Sequence, residues 1–298
     1  MRTQWADGVP RVDEGLVRRL VAGQFPRWAG LPVVRLPSGG TVNAMFRLGE
    51  GLVVRLPLGA GGVGDVLREQ EWLPRLAPLL PVPVPEVLGA GEPAEGYPWP
   101  WSVHRWLPGA HPEEGAVRGS GQLAEQLAGF VAAMRAVALP GGPAAHRGGP
   151  LAALDAGTRA AIEELRRVPE EDVDCEAAAA VWQEGLAAPE HPGPPVWLHA
   201  DLMPGNLLVT GDGLGAVIDF GCAGVGDPAC DLFPAWNLLP PGARDAFRSA
   251  LGVDDATWAR GRARTLSQAL IALPHYRTSN PSMAGNARHV LRAVLSGG

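Results

Sequence analysis

A chain of 298 residues that is 46% hydrophobic is long enough to bury one large core or two smaller ones, and too apolar to be disordered. Its formal charge of −6, from 25 basic and 31 acidic residues, argues against a nucleic-acid surface. No stretch is apolar enough over sufficient length to read as a signal or membrane-spanning segment, so a cytoplasmic protein with no membrane partner is expected.

All 25 basic residues are Arg. Without Lys a Schiff-base mechanism is excluded, and any task usually given to Lys falls to Arg. Three Cys, at 175, 222 and 230, form no CxxC pair; they read as small buried residues rather than a disulfide framework or zinc site.

In chain order, residues 11–30 carry apolar residues at helical spacing (Leu16, Val17, Leu20, Val21). Val33–Leu36, Val42–Leu48 and Leu52–Leu56 are short β-prone runs separated by glycine turns, a hairpin meander. Residues 65–80 read as a helix with Asp65 as N-cap, Leu67, Trp72, Leu73 and Leu76 on one face, and Pro74 as a kink. Two further strands are expected at Glu86–Leu88 and Trp101–Leu107.

Beyond Leu107-Pro108-Gly109 the texture turns helical, at 120–138, 151–167 and 174–188. The glycine- and proline-rich stretch 140–150 reads as a loop. Short strands return at Val196–Leu198, Leu207–Val209 and Ala216–Ile218, followed by helices at 229–238, 242–250, 254–273 and 284–295. Strands first and helices after, with the joint near 107, predict an α+β protein of two parts, 1–106 and 107–298.

Gly59-Ala60-Gly61-Gly62-Val63-Gly64 matches the dinucleotide fingerprint GxGxxG. Pro57 interrupts the strand-to-glycine junction, and hairpin strands rather than an alternating βαβ series precede it. The segment is therefore read as a loop, and a Rossmann oxidoreductase is set aside.

The informative stretch is 196–221. It places His199, Asp201 and Asn206 on one loop between two strands, and Asp219-Phe220-Gly221 at the end of the strand that follows. A carboxylate that takes a proton, with an amide oxygen and a second carboxylate that hold a hard divalent cation, suits phosphoryl transfer. Such a step asks for positioning and charge stabilisation more than covalent chemistry.

His199-x-Asp201-x-x-x-x-Asn206, then Ile218-Asp219-Phe220-Gly221 and Gly226-Asp227-Pro228-Ala229-Cys230-Asp231-Leu232, resembles the linked motifs of the aminoglycoside phosphotransferase family. These are small-molecule kinases of the protein-kinase-like fold, so the resemblance implies a bilobal α+β protein. An antiparallel-sheet N-terminal lobe would bind nucleotide, and a mostly helical C-terminal lobe would carry catalysis and substrate. It further implies Asp201 as catalytic base, Asn206 and Asp219 as magnesium ligands, ATP or GTP as donor, His199 as a brace of the loop, and Asp231 as a structural or capping carboxylate.

In the first lobe, Ser38, Gly39, Gly40 and Thr41 would cover the phosphates. Arg55 stands where such folds place a Lys, and Glu69, ahead of Glu71, would pair with it. Backbone groups near Arg105 and Leu107 would meet the adenine edge.

The acceptor is less legible. Asp227, Trp236, Asn237, His275, Tyr276 and Arg277 are candidates, while Trp5, Trp28, Trp182 and Trp258 read as core. The last 45 residues contain Arg260, Arg262, Arg264, Arg277, Arg288 and Arg292 and, after Asp255, no acid, which departs from what a polycation binder should offer. The resemblance implies an ATP- and magnesium-dependent kinase of a hydroxyl on a small molecule, such as an aminoglycoside, a macrolide or a related metabolite. It would act as a monomer or homodimer and connect to antibiotic resistance. The alternative is a nucleotide-binding pseudokinase or regulatory module, motivated by Arg55.

Overall fold

The computed structural model describes residues 11–37, 42–112, 120–168, 173–211 and 213–296. Alternating apolar residues between Val33 and Pro57 build three antiparallel strands, β1 (Val33–Arg35), β2 (Asn43–Leu48) and β3 (Leu52–Pro57). β4 (Val87–Gly91) and β5 (Trp101–Arg105) complete a five-stranded sheet of order β1-β2-β3-β5-β4. One face, with Phe46, Val54, Trp101 and Val103, packs on helix α1 (Glu14–Gln24) through Leu16, Val17, Leu20 and Val21. Asp13 caps α1 by accepting from Leu16 N.

Helix α2 (Val63–Leu76) packs against β4 and β5. Its N-cap is Gly62, not Asp65, because a one-turn 3-10 segment, Ala60–Gly62, leads into it and leaves Asp65 inside the first turn. Trp72, Leu73 and Leu76 are buried as expected, but Leu67 is exposed, and Val66 and Glu69 complete the buried stripe. Pro74 falls in the last turn, where the helix is ending anyway. With the glycines of 59–64 following an antiparallel strand, no βαβ unit forms here.

These elements, with Pro83–Pro108 and the short segment Asp219–Gly221, form one compact unit. The division falls after Pro108 rather than after 106. Trp106 N–H still donates to Gly51 O at 2.8 Å, whereas Ala110 and Val209 exchange backbone hydrogen bonds within the second unit.

The second unit is mostly helical: α3 (Ser120–Ala136), α4 (Asp155–Arg167), α5 (Cys175–Ala187), α6 (Pro234–Asn237), α7 (Pro241–Leu251), α8 (Asp255–Tyr276) and α9 (Pro281–Leu295). α8 packs on α4, α5 and α9, and Asp254 caps it by accepting from Thr257 N. Between α5 and α6 run two small antiparallel pairs, β6 (Val196–Leu198) with β9 (Gly224–Gly226) and β7 (Leu207–Thr210) with β8 (Gly213–Val217). β9 is not anticipated by the sequence pattern, since two of its three residues are Gly. Of the cysteines only Cys230 is buried; Cys175 and Cys222 are partly exposed. Among the described residues, no helix is long and apolar enough to cross a membrane.

Candidate active site

In the first unit, β3 turns Val54 and Leu56 toward α1 and leaves Arg55 on the opposite face, the side of α2. Glu69 occupies a slot in the buried stripe of α2, where amphipathic spacing would put an apolar residue; Glu71 is exposed. Arg55 Nη1 donates to Glu69 Oε1 at 2.8 Å, and Nη2 to Asp219 Oδ1 at 2.7 Å. Phe220 N–H also donates to Glu69 Oε1 at 2.8 Å, while Glu69 Oε2 is buried without a hydrogen-bond partner.

Burial pushes the Glu69 carboxyl up to about 7, with the Arg55 charge pulling the other way. His104, on the same sheet, is lowered to about 3 by burial and then by the Arg55 charge, so it is neutral. Asp219 sits at φ 65°, an uncommon backbone for a non-glycine residue. Gly221 is required nearby, since a Cβ there would lie 2.7 Å from Asp65 Cβ on α2.

In the second unit, β6 ends at Leu198 and the chain turns through Ala200 at φ 63°. Asp231, buried near the end of the short 3-10 segment Pro228–Leu232, holds this turn. Its two oxygens accept from His199 N and Ala200 N, each at 2.8 Å. Burial pushes the Asp231 carboxyl above its ordinary range, against the pull of the two N–H donors. His199 braces the loop from within: its Nδ1 accepts from Asp201 N–H at 3.2 Å and its Nε2 faces Ile218 O at 3.1 Å. That pairing requires the neutral tautomer with the proton on Nε2.

Asp201 is anchored on both carboxylate oxygens. Asn206 Nδ2 donates to Oδ2 at 2.9 Å and to the Asp201 carbonyl at 2.8 Å. Arg147 Nη1 donates to Oδ1. Since Nδ2 of Asn206 is spent on Asp201, its amide Oδ1 is the atom left to serve as a ligand. A hard amide oxygen and the Asp219 carboxylate, 41% exposed, are the donor types magnesium takes. Ile218, whose N–H donates to Asn206 O at 2.9 Å, directly precedes Asp219 in the chain.

Arg147 carries no signal beyond being the one Arg in a glycine- and proline-rich loop. Burial works against its charge, yet Asp201 beside it, with Cys222 and Cys230 contributing, holds its pKa above the ordinary value.

Other sequence-chosen residues fall elsewhere. Asp227 is committed to pairing within its own unit. Its carboxylate, 11% exposed, accepts from Arg260 Nε at 3.0 Å, Arg264 Nη2 at 3.3 Å and Ala229 N at 2.9 Å. Trp236 is core, 1% exposed, with its ring 4.6 Å from that of Trp258. Asn237 is buried and reaches Leu202 O. His275 and Tyr276 lie in the last turn of α8 with their rings against each other, and share no hydrogen bond or ring contact with Asp201 or Asn206.

Arg105 cannot offer its N–H to a base edge, because Glu86 O accepts it at 3.0 Å and the side chain pairs with Glu86 in solvent. Leu107 lies two residues past β5, half-buried. Ser38, Gly39, Gly40 and Thr41 lie outside the described residues.

The APH phosphotransferase enzyme family matches residues 33–265. The chain belongs to this family. No curated protein matches it by sequence. Among solved structures it is similar to the GDP and kanamycin complex of APH(2'')-IIIa, at 19% identity over 94% of this chain and 98% of that one, TM-score 0.76. It is also similar to the streptomycin–ATP–APH(2'')-IIa ternary complex, at 15% identity over 88% and 90%, TM-score 0.61. Macrolide 2'-phosphotransferase MphH from Brachybacterium faecium aligns at 21% identity over 96% and 98%, TM-score 0.60. At these identities the likeness carries the fold: an antiparallel-sheet first part and a helical remainder, α+β.

Proposed function

We propose that the protein transfers the γ-phosphoryl group of ATP, or of GTP, to a hydroxyl of a small molecule. Asp201 is the base that accepts or orients the hydroxyl proton, and this assignment carries the reading. It is supported by a carboxylate fixed at both oxygens, on a loop whose backbone is held by Asp231 and His199. Asn206 Oδ1 and the Asp219 carboxylate would hold magnesium, which when bound offsets charge on the phosphate oxygens. Arg55 is the cation for the phosphates, held in place by Glu69.

The acceptor class follows from the family and from the kanamycin, streptomycin and macrolide enzymes among its structural neighbours: a hydroxylated small molecule, antibiotics included. A pseudokinase reading is disfavoured, because such modules usually lose the base or a metal donor and this chain keeps Asp201, Asn206 and Asp219.

The test is magnesium-dependent nucleotide turnover by the purified protein over aminoglycosides, macrolides, nucleosides and simple hydroxylated metabolites, with product mass as readout. Asp201→Asn should cut kcat by about 10²–10⁴-fold and leave nucleotide affinity close to wild type. Undiminished turnover in that variant would overturn the assignment.

A further inference from the structure

The loop carrying Arg147 is pinned to an unusual degree for a glycine-rich connection. Arg147 O accepts from Arg264 Nη1 at 2.9 Å and from Cys230 Sγ at 3.4 Å. Asp227 N–H donates to Gly148 O at 2.9 Å and His146 N–H to Cys222 O at 3.1 Å. The loop's backbone is thus fixed from four directions, and it lays one guanidinium nitrogen on Asp201.

The rest of that guanidinium is uncommitted. Nε and Nη2 make no hydrogen bond among the described residues, and 36% of the side chain is in solvent. Any molecule whose hydroxyl reaches Asp201 therefore meets a cation with donors to spare. Among the described residues of this unit, two buried carboxylates next to the loop are already committed: Asp227 to Arg260 and Arg264, Asp231 to backbone N–H groups.

We infer that Arg147 is a specificity-determining residue. Its free guanidinium nitrogens bind an oxyanion, a carboxylate or a phosphate, on the acceptor whose hydroxyl Asp201 activates, and its charge turns polycationic acceptors away. The inference rests on the phosphotransferase reading above and names the substrate class for that site. It rests on the planar fork of Arg, which grips an oxyanion through parallel N–H donors, and on like-charge repulsion at close range in a partly desolvated place.

The experiment compares matched acceptors: hydroxylated skeletons bearing a carboxylate or a phosphate beside the reacting hydroxyl, and the same skeletons bearing an amine there, aminoglycosides included. Wild type should show higher kcat/KM on the oxyanion members. Arg147→Gln should raise KM for those members by about tenfold or more, the loss of one charge-assisted contact, with nucleotide KM unmoved and the gap to the amines narrowed. Arg147→Lys should recover part of the loss, and serves alone if Arg147→Gln fails to fold.

A wild-type preference for the amine members would overturn the inference. So would an equal fall in kcat on every acceptor with KM unchanged, which would make Arg147 only an anchor of the Asp201 carboxylate. If no acceptor is phosphorylated, the same matched pairs are titrated into basal nucleotide hydrolysis. A saturable effect of the oxyanion members that Arg147→Gln abolishes supports the inference, and any other pattern overturns it. Absence of all magnesium-dependent turnover in wild type, hydrolysis included, overturns the phosphotransferase reading itself and this inference with it.

Discussion

The charged cluster around Arg55 and the one around Asp201 are positioned by different means. Arg55 and Glu69 stand on a strand and a helix whose backbones satisfy themselves, and their side chains are 7% and 0% exposed. There the backbone holds the charges, and the charges only have to balance one another. Asp201 follows an irregular turn with Ala200 at φ 63°, and the order of dependence is reversed. A buried carboxylate, Asp231, and a buried imidazole, His199, hold the backbone by accepting its N–H groups. Removing a side chain should upset charge balance in the first cluster and backbone shape in the second.

The largest expected effect follows from that reversal. Asp231→Ala strips two buried N–H groups of their acceptor at once. We expect a loss of about 3–5 kcal/mol in unfolding free energy, the scale of breaking a buried charged network. Turnover should collapse with it, since Asp201 is the next residue along. Asp231→Asn retains one acceptor oxygen and should fall between. Denaturant unfolding with steady-state turnover measures both. Wild-type values for Asp231→Ala would show that the turn holds itself, and the contrast between the clusters would fail.

The same contrast explains what could be read in the sequence. Arg55 and Glu69 were legible through the family resemblance, which asks for a cation on that strand and a Glu on the helix after it; periodicity alone left Arg55 free to face solvent and put Leu67 on the buried face. Asp201, Asn206 and Asp219 were legible because motif spacing survives in an irregular loop. Arg147 was not, because its place is set by Arg264, Cys230 and Asp227, each 80 or more residues away, and no local period records such partners. β9 was missed for a related reason. Its glycines look like breakers, yet a Cβ at Gly224 would lie 2.4 Å from Pro143 O and one at Gly226 2.6 Å from Gly148 O. Glycine is there so that the strand can lie against the Arg147 loop. The pairing of Asp227 was not legible because its partners, Arg260 and Arg264, look like a free basic surface until α8 turns them inward.

A smaller effect separates burial from pairing in the first cluster. Burial raises Glu69 from 4.5 to about 7, so between those values the folded protein keeps a proton that the unfolded chain has released. Its contribution to stability is fully present below about 4.5 and is lost as the pH rises through about 7, at roughly 1 kcal/mol per pH unit or less. Glu69→Gln should flatten that slope. Asp227, whose pKa is lowered, acts at lower pH with the opposite sign, and Asp231 is common to both proteins, so neither confounds the difference. Parallel slopes for wild type and Glu69→Gln between pH 5 and 7 would mean that the Arg55 pairing, and not burial, sets the state of Glu69.

The smallest effect is expected from Arg55→Lys, which keeps the charge and changes only its shape. The guanidinium reaches Glu69 and Asp219 through two different nitrogens, at 2.8 and 2.7 Å. A lysine ammonium presents one nitrogen to both and carries a tighter hydration shell into a site that is 7% exposed. We expect a stability loss of about 1 kcal/mol and a change in nucleotide KM of roughly two- to tenfold, with kcat less affected. Because β3 and α2 fix the surrounding backbone, neither change should spread to the Asp201 loop. If nucleotide KM does not move, Arg55 balances Glu69 and Asp219 without touching phosphate, and the first cluster is a strut rather than a binding group. If kcat falls instead while KM holds, the fork acts through Asp219 on the transfer step, and the two clusters are energetically one.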